Sequence, residues 1–178
     1  PQIVRRFARR IPELAREAME ALGYYDAEAR VFSERDGEIR VLRLVVTPGE
    51  PVRIASVQVG LEGEAGQDAA FLALLNHLPL REGDRLHHGQ YGSLIRAIEN
   101  MASARGYFDG RFLVRRIEVD RAAHRADVIV RYGSGPRYRM GAVHFPETPL
   151  REAFLQRLVP FEAGTPYHVE LLTRFNRN

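Results

Sequence analysis

The chain repeats itself, and the repeat limits what it can fold into. Gly23-Tyr24-Tyr25-Asp26 returns as Gly106-Tyr107-Phe108-Asp109, the mark of a module used more than once. Each copy closes a helical pattern. Ile11, Leu14, Ala15, Ala18, Met19 and Leu22 share one apolar stripe before the first, and Tyr91, Leu94, Ile95, Ile98, Met101 and Ala102 share one before the second. A glycine directly after such a stripe suits the left-handed C-terminal cap, which a residue with a Cβ adopts only at a cost. Pro12 predicts either a helix opening at its first turn or a kink in a longer helix that begins near Gln2.

Two strand patterns follow each motif. Residues 29–34 and 38–46, joined at Asp36-Gly37, read as a hairpin, and residues 111–119 and 126–132 read as a second, across a looser turn at 121–125. The later strand of each pair is the richer in β-branched residues, Val41, Val45 and Val46, then Val128, Ile129 and Val130. That composition predicts a central strand buried on both faces. A second repeated block comes next: residues 52–59, VRIASVQV, match residues 138–145, YRMGAVHF. Gly49 and Pro51 precede the first copy, Gly135 and Pro136 the second, and they read as joints between units. In both copies the apolar alternation changes phase midway, as a bulge would make it do.

A third block begins with a short helix near 68–77, with Phe71, Leu74 and Leu75 on one side. Its counterpart is capped by Thr148-Pro149 and presents Leu150, Phe154, Leu155 and Leu158. Pro79 to Asp84 then parallels Pro160 to Thr165, with Gly83 and Gly164 in register. One unit therefore reads strand, helix, helix, strand, strand. The predicted fold class is α+β, with tandem βααββ units, each a three-stranded mixed sheet covered by two antiparallel helices. Residues 1–48 supply the helix and two strands that end a first unit, residues 49–133 a complete second, and residues 134–178 the start of a third. The pattern predicts that the chain is a segment of a longer protein.

Composition narrows the chemistry. The chain has 178 residues and no cysteine, which removes disulfides, thiolate zinc sites, iron–sulfur clusters and cysteine nucleophiles. No apolar run reaches bilayer length. All 26 basic residues are arginine, and the net charge is only +3. Arg5, Arg9 and Arg16 would share one side of the first helix, either a solvated face or a docking face for an acidic partner or anionic lipid. His87 and His88 are adjacent and cannot both face one metal, while His77 and His168 lie apart from them, so the predicted metal and cofactor set is empty. Ser93 lacks a nucleophile elbow, Glu62 and Glu64 flank Gly63 in a polar loop, and no phosphate-binding glycine loop is present. Tyr24, Tyr25, Tyr107 and Phe108 form either core and inter-unit contacts or a base-stacking platform.

These motifs resemble the POTRA domains of the Omp85 superfamily. The likeness is carried by Gly106-Tyr107-Phe108 after a helix, by Gly83-Asp84 before that helix, and by residues 49–59 at a unit's start. Residues 21–25, 46–52 and 158–164 are most similar to the TamA branch of the superfamily. The resemblance implies a non-enzymatic periplasmic arm, held at the outer membrane by a C-terminal β-barrel outside these residues. It implies work with an inner-membrane-anchored TamB-like partner on outer-membrane proteins or autotransporter clients. A module of this kind leaves sheet edges able to accept an added strand. The candidate edges are Phe112, Leu113, Val114, Arg115, Arg116 and Ile117, and, in the first unit, Ala29, Arg30, Val31 and Phe32. Gly23, Tyr24, Tyr25, Gly83, Gly106, Tyr107 and Phe108 are the structural motif. The arm of a BamA-like insertase or of a two-partner secretion transporter is the nearest alternative, and a basic α+β nucleic-acid module is one from another class.

Overall fold

A computed structural model describes residues 2–37, 39–146 and 151–177. The chain begins with α1 (Gln2–Ala21), which runs through Pro12, so the longer of the two expected helices forms. Strands β1 (Glu28–Asp36) and β2 (Ile39–Thr47) make an antiparallel pair with Asp36 opposite Ile39. That register leaves a two-residue turn in which Gly37 has φ +59°, the left-handed conformation such hairpins favour. Glu38, expected to start β2, lies outside the described residues.

Next come β3 (Arg53–Glu62), a 3₁₀ turn (Glu64–Gln67), α2 (Ala69–Leu75), α3 (His88–Arg105), β4 (Arg111–Asp120) and β5 (Arg125–Gly133). They build a three-stranded sheet in the order β3-β5-β4. Arg53 N–H donates to His124 O, Ser56 Oγ to Asp127 and Ser134 N–H to Glu62 O, so β3 and β5 advance together and the sheet is mixed. The central place of β5 agrees with its Val128-Ile129-Val130 run, and Val128 and Val130 are fully buried. Two short helices, α4 (Glu152–Gln156) and α5 (Val169–Phe175), complete the chain. Thr148-Pro149, the expected cap of α4, and Leu150 lie outside the described residues.

Two compact units divide the chain. The first comprises Pro1–Gln58, Pro79–Ser93 and Arg116–Ile129, and Val52, Ile54, Leu80, Leu86 and Val128 are buried within it. The second comprises Val59–Leu78, Leu94–Arg115 and Val130–Asn178, with Phe71, Leu94, Ile98, Tyr107, Val130 and Tyr132 buried.

Two expectations need correcting. β2 is not buried on both faces: Val41, Leu44 and Val45 are each more than 40% exposed, and Ile39 is 69% exposed. The reason is pairing. Among the described residues β2 has β1 on one side and no strand on the other, so its β-branched residues have no second neighbour to pack against. The matched blocks also differ in outcome. Residues 53–62 form an unbroken strand, whereas residues 138–145 form no strand, only a single bridge between Arg139 and Pro166.

Candidate functional site

Three features stand out: an open sheet edge, a joint built twice, and a buried charge cluster. The edge is β4. β5 occupies one side of it, and among the described residues no strand occupies the other. β3 is also terminal in the sheet, but its outer side is partly taken. Ile54 N–H donates to Asp84 O at 2.8 Å, Leu86 N–H to Val52 O at 2.9 Å and Gly83 N–H to Ile54 O at 2.8 Å. Those bonds use the backbone groups a visiting strand would need. β4 is therefore the freer edge, and the sequence pattern alone could not separate the two.

Along β4, Phe112, Val114, Ile117 and Val119 are half-buried, while Leu113, Arg115 and Arg116 are exposed. The Arg115 guanidinium lies over the Phe112 ring, 5.7 Å from its centroid, and Arg116 pairs with Glu118 at 2.9 Å. Beside the start of the strand is a cleft of about 310 Å³ lined by Glu99, Tyr107, Phe108, Arg111, Phe112 and Tyr132. In β1, the other candidate, Ala29 is buried, Val31 is half-buried side by side with exposed Arg30, and Phe32 is 48% exposed. Arg30 pairs with Glu28 at 3.0 Å.

The joint uses the glycine motifs. In the first unit Val52 N–H donates to Gly23 O at 2.8 Å, and in the second Tyr138 N–H donates to Gly106 O at 2.8 Å. The bonds around Ile54 recur around Met140: Met140 N–H to Thr165 O at 2.7 Å, Gly164 N–H to Met140 O at 2.8 Å, Tyr167 N–H to Tyr138 O at 2.9 Å. Even the arginine repeats, with Arg53 donating to Gly83 O and Arg139 to Gly164 O. Gly23, Gly83, Gly106 and Gly164 all have φ between +84° and +89°. Tyr24 Oη accepts from Arg85, Tyr25 Oη bonds His88 Nε2 at 2.7 Å, and Phe108 packs on Tyr138 and Tyr167. The histidines have local work too: His87 Nδ1 and His168 Nδ1 accept the N–H groups of Gly89 and Glu170 at the starts of α3 and α5. Among the described residues no group of His, Asp and Glu is placed to hold a metal.

The charge cluster was not legible in the sequence. Asp68 caps α2 by accepting Ala70 N–H, and its side chain, only 3% exposed, also accepts Arg105 Nε at 2.7 Å and Tyr107 Oη at 3.0 Å. Arg137 stands 3.6 Å away and donates to the carbonyls of Arg105 and Tyr167. Burial pushes the Asp68 carboxyl up, but its bonds to Arg105, Ala70 and Tyr107 outweigh that and hold it below the usual range. The Tyr107 hydroxyl is pushed up to about 12, first by burial and then by its bond to Asp68. The cluster is a clasp between α2, the end of α3 and the segment after β5. Only the position of Asp68 before an apolar helix signalled it, and only as a cap.

Residues 1–48 match the family model described as POTRA domain, TamA domain 1. Among solved structures the chain is similar to POTRA3-5 of BamA from Haemophilus influenzae, with a TM-score of 0.51 and 18% identity over 90% of this chain and 63% of that one. It is also similar to BamA from Haemophilus ducreyi lacking POTRA domains 1-3 (TM-score 0.42, 14% identity, 74% and 25% covered). A third likeness is the N-terminal domain of Omp85 from Thermosynechococcus elongatus (TM-score 0.38, 16% identity, 93% and 68% covered). The chain thus spans less than two thirds of the first of these structures, and the fold it shares with that structure is the POTRA fold.

Proposed function

We propose, on the premise of that shared fold and of the TamA-type match over residues 1–48, that the chain is a non-enzymatic periplasmic arm of an Omp85-type outer-membrane protein. The arm holds extended polypeptide at the open edge of β4. Its parent carries a C-terminal barrel, and its partners are an inner-membrane-anchored TamB-like protein and outer-membrane or autotransporter clients. No helix among the described residues is long and apolar enough to cross a membrane, so attachment through another part of the parent fits. Residues 1–48, 49–133 and 134–178 are the end of one domain, a whole second and the start of a third.

The observation that carries this reading is the contrast between the two terminal strands: β3 is partly occupied on its outer side, and among the described residues no strand occupies that of β4. Main-chain pairing supplies affinity with little demand on sequence, and the aromatic cleft beside Phe112 can take one side chain of the added strand. The BamA likeness favours a second reading, in which the same edge serves a BamA-type insertase.

Prolines at Val114 and at Arg115, made separately, test the edge. Successive N–H groups along a strand point to opposite sides, so one proline strikes the ladder with β5 and unfolds the sheet. The other removes an outward donor and leaves the melting temperature within a few degrees. That folded variant is expected to bind an extended outer-membrane-protein peptide about 5-fold more weakly, the worth of one hydrogen bond. Unchanged affinity in the folded variant overturns the assignment. Site-specific crosslinking from β4 to a TamB-like partner separates the first reading from the second.

A further inference from the structure

The charge cluster around Asp68 forms one wall of a cavity of about 490 Å³ in the second compact unit. Its lining includes Glu64, Asp68, Arg105, Tyr107, Arg137 and Arg139. Local sequence supplies the arginines. Arg105 is the last residue of α3, where the helix dipole favours a cation. Arg137 and Arg139 stand two apart in the segment after β5, and Tyr138 between them packs on Phe108. The Arg105 and Arg137 side chains are each only 20% exposed.

Hydrogen bonds fix these guanidiniums without using them up. Arg105 gives Nε to Asp68, Arg137 gives Nε and Nη2 to the carbonyls of Arg105 and Tyr167, and Arg139 gives Nη1 to Gly164 O. A guanidinium carries five N–H donors, and those bonds engage one or two nitrogens of each. Three cations meet two carboxylates in the wall, Asp68 and Glu64, which leaves one positive charge in excess. A phosphate dianion would overshoot that excess and crowd Asp68. A carboxylate balances it, and its planar pair of oxygens fits the guanidinium fork. Guanidiniums held in place and largely shielded from water attract an anion more strongly than mobile ones in solvent.

We infer that this cavity binds one carboxylate, presented by an acidic side chain or by the chain terminus of a polypeptide. The inference rests on the cavity alone and stands whether or not β4 accepts a strand. The first unit contains a related cavity of about 430 Å³, with Tyr24 and Arg53 in the places of Tyr107 and Arg139. There Arg53 and Arg85 are exposed, and Arg85 is bonded to Tyr24 Oη and lies over its ring. With its arginines open to water, that cavity serves as the internal control.

Short peptides separate the two sources of carboxylate. Acetyl-Ala-Glu-Ala-amide offers a side-chain carboxylate, acetyl-Ala-Gln-Ala with a free C-terminus offers a terminal one, and acetyl-Ala-Gln-Ala-amide offers neither. Three residues are too few to extend a sheet edge stably, so β4 does not compete. The readout is the NMR signal of the arginine Nε–H groups during titration. At least one carboxylate peptide is expected to bind with a Kd of about 1 mM or tighter, and the one that does names the source. The neutral peptide is expected to bind about 10-fold more weakly, and the Arg53 signal to move less than that of Arg139.

Two variants push the affinity in opposite directions. Arg139→Gln lies outside the Asp68 clasp, so the melting temperature is expected to stay within a few degrees while the better carboxylate peptide loses about 10-fold. Glu64→Gln keeps an acceptor for the Arg137 N–H and removes a competing charge, and is expected to tighten binding about 3-fold. The site is overturned if neither carboxylate peptide binds more tightly than the neutral one, or if inorganic phosphate matches the better peptide. Unchanged affinity in folded Arg139→Gln overturns it as well. Affinity that Glu64→Gln fails to raise does the same, and decides alone if Arg139→Gln does not fold.

Discussion

At Gly23 an added Cβ would collide with the Leu86 carbonyl oxygen, and at Gly106 it would meet the Tyr167 Cβ at 2.6 Å. At Gly83, where φ is also +85°, nothing lies within 4 Å. The three positions therefore separate backbone strain from collision. Gly83→Ala is expected to cost about 1 kcal/mol, the strain alone, and Gly23→Ala about 3 kcal/mol or more, because a backbone carbonyl has to move; urea denaturation checks the difference. Gly23 and Gly106 were legible as caps, but the wall behind each was not, since it comes from residues about 60 positions further along the chain. Asp68 gives the second prediction at this scale. Its folded-state carboxyl sits below the usual range, so it contributes stability above the unfolded value of about pH 4 and loses it as pH falls through the lower folded value. Asp68→Asn is expected to cost about 2–3 kcal/mol at neutral pH and to flatten acid denaturation in that range, read by circular dichroism. A variant with the native acid limb would show that the cluster holds no charge.

Among the elements, periodicity placed the strands well and their neighbours poorly. Expected spans of 29–34, 111–119 and 126–132 became Glu28–Asp36, Arg111–Asp120 and Arg125–Gly133, because alternation and turn residues act over a few positions. The burial of β2 was misread for a physical reason: β-branched composition reports fitness for a strand, while burial depends on a neighbour the local pattern does not contain. The phase change after Ile54 did not interrupt β3. In the matching block of residues 138–145 the same type of pattern made only one bridge, since a strand needs a partner as well as a sequence. The proline comparison at Val114 and Arg115 belongs at this scale, because it asks which side of β4 its N–H groups face, a property of the element rather than of either residue.

For the whole molecule, charge and edge make opposing forecasts. An arginine-rich chain that acted on phosphate would lose affinity steeply with salt, whereas strand addition through main-chain bonds is nearly indifferent to it. Peptide binding, followed by fluorescence anisotropy, is expected to change by less than about 3-fold between low and high salt; a steep decline would move the reading to an electrostatic partner. The sequence by itself determined the repeated order of helices and strands, the glycine-capped motifs and the α+β class, because caps, turns and apolar periods are written in neighbouring residues. Tertiary structure alone decided that the outer side of β3 is partly taken and that Asp68, Arg105, Tyr107 and Arg137 converge. Each of these depends on residues tens of positions apart being brought within a few ångströms, and no local pattern encodes that.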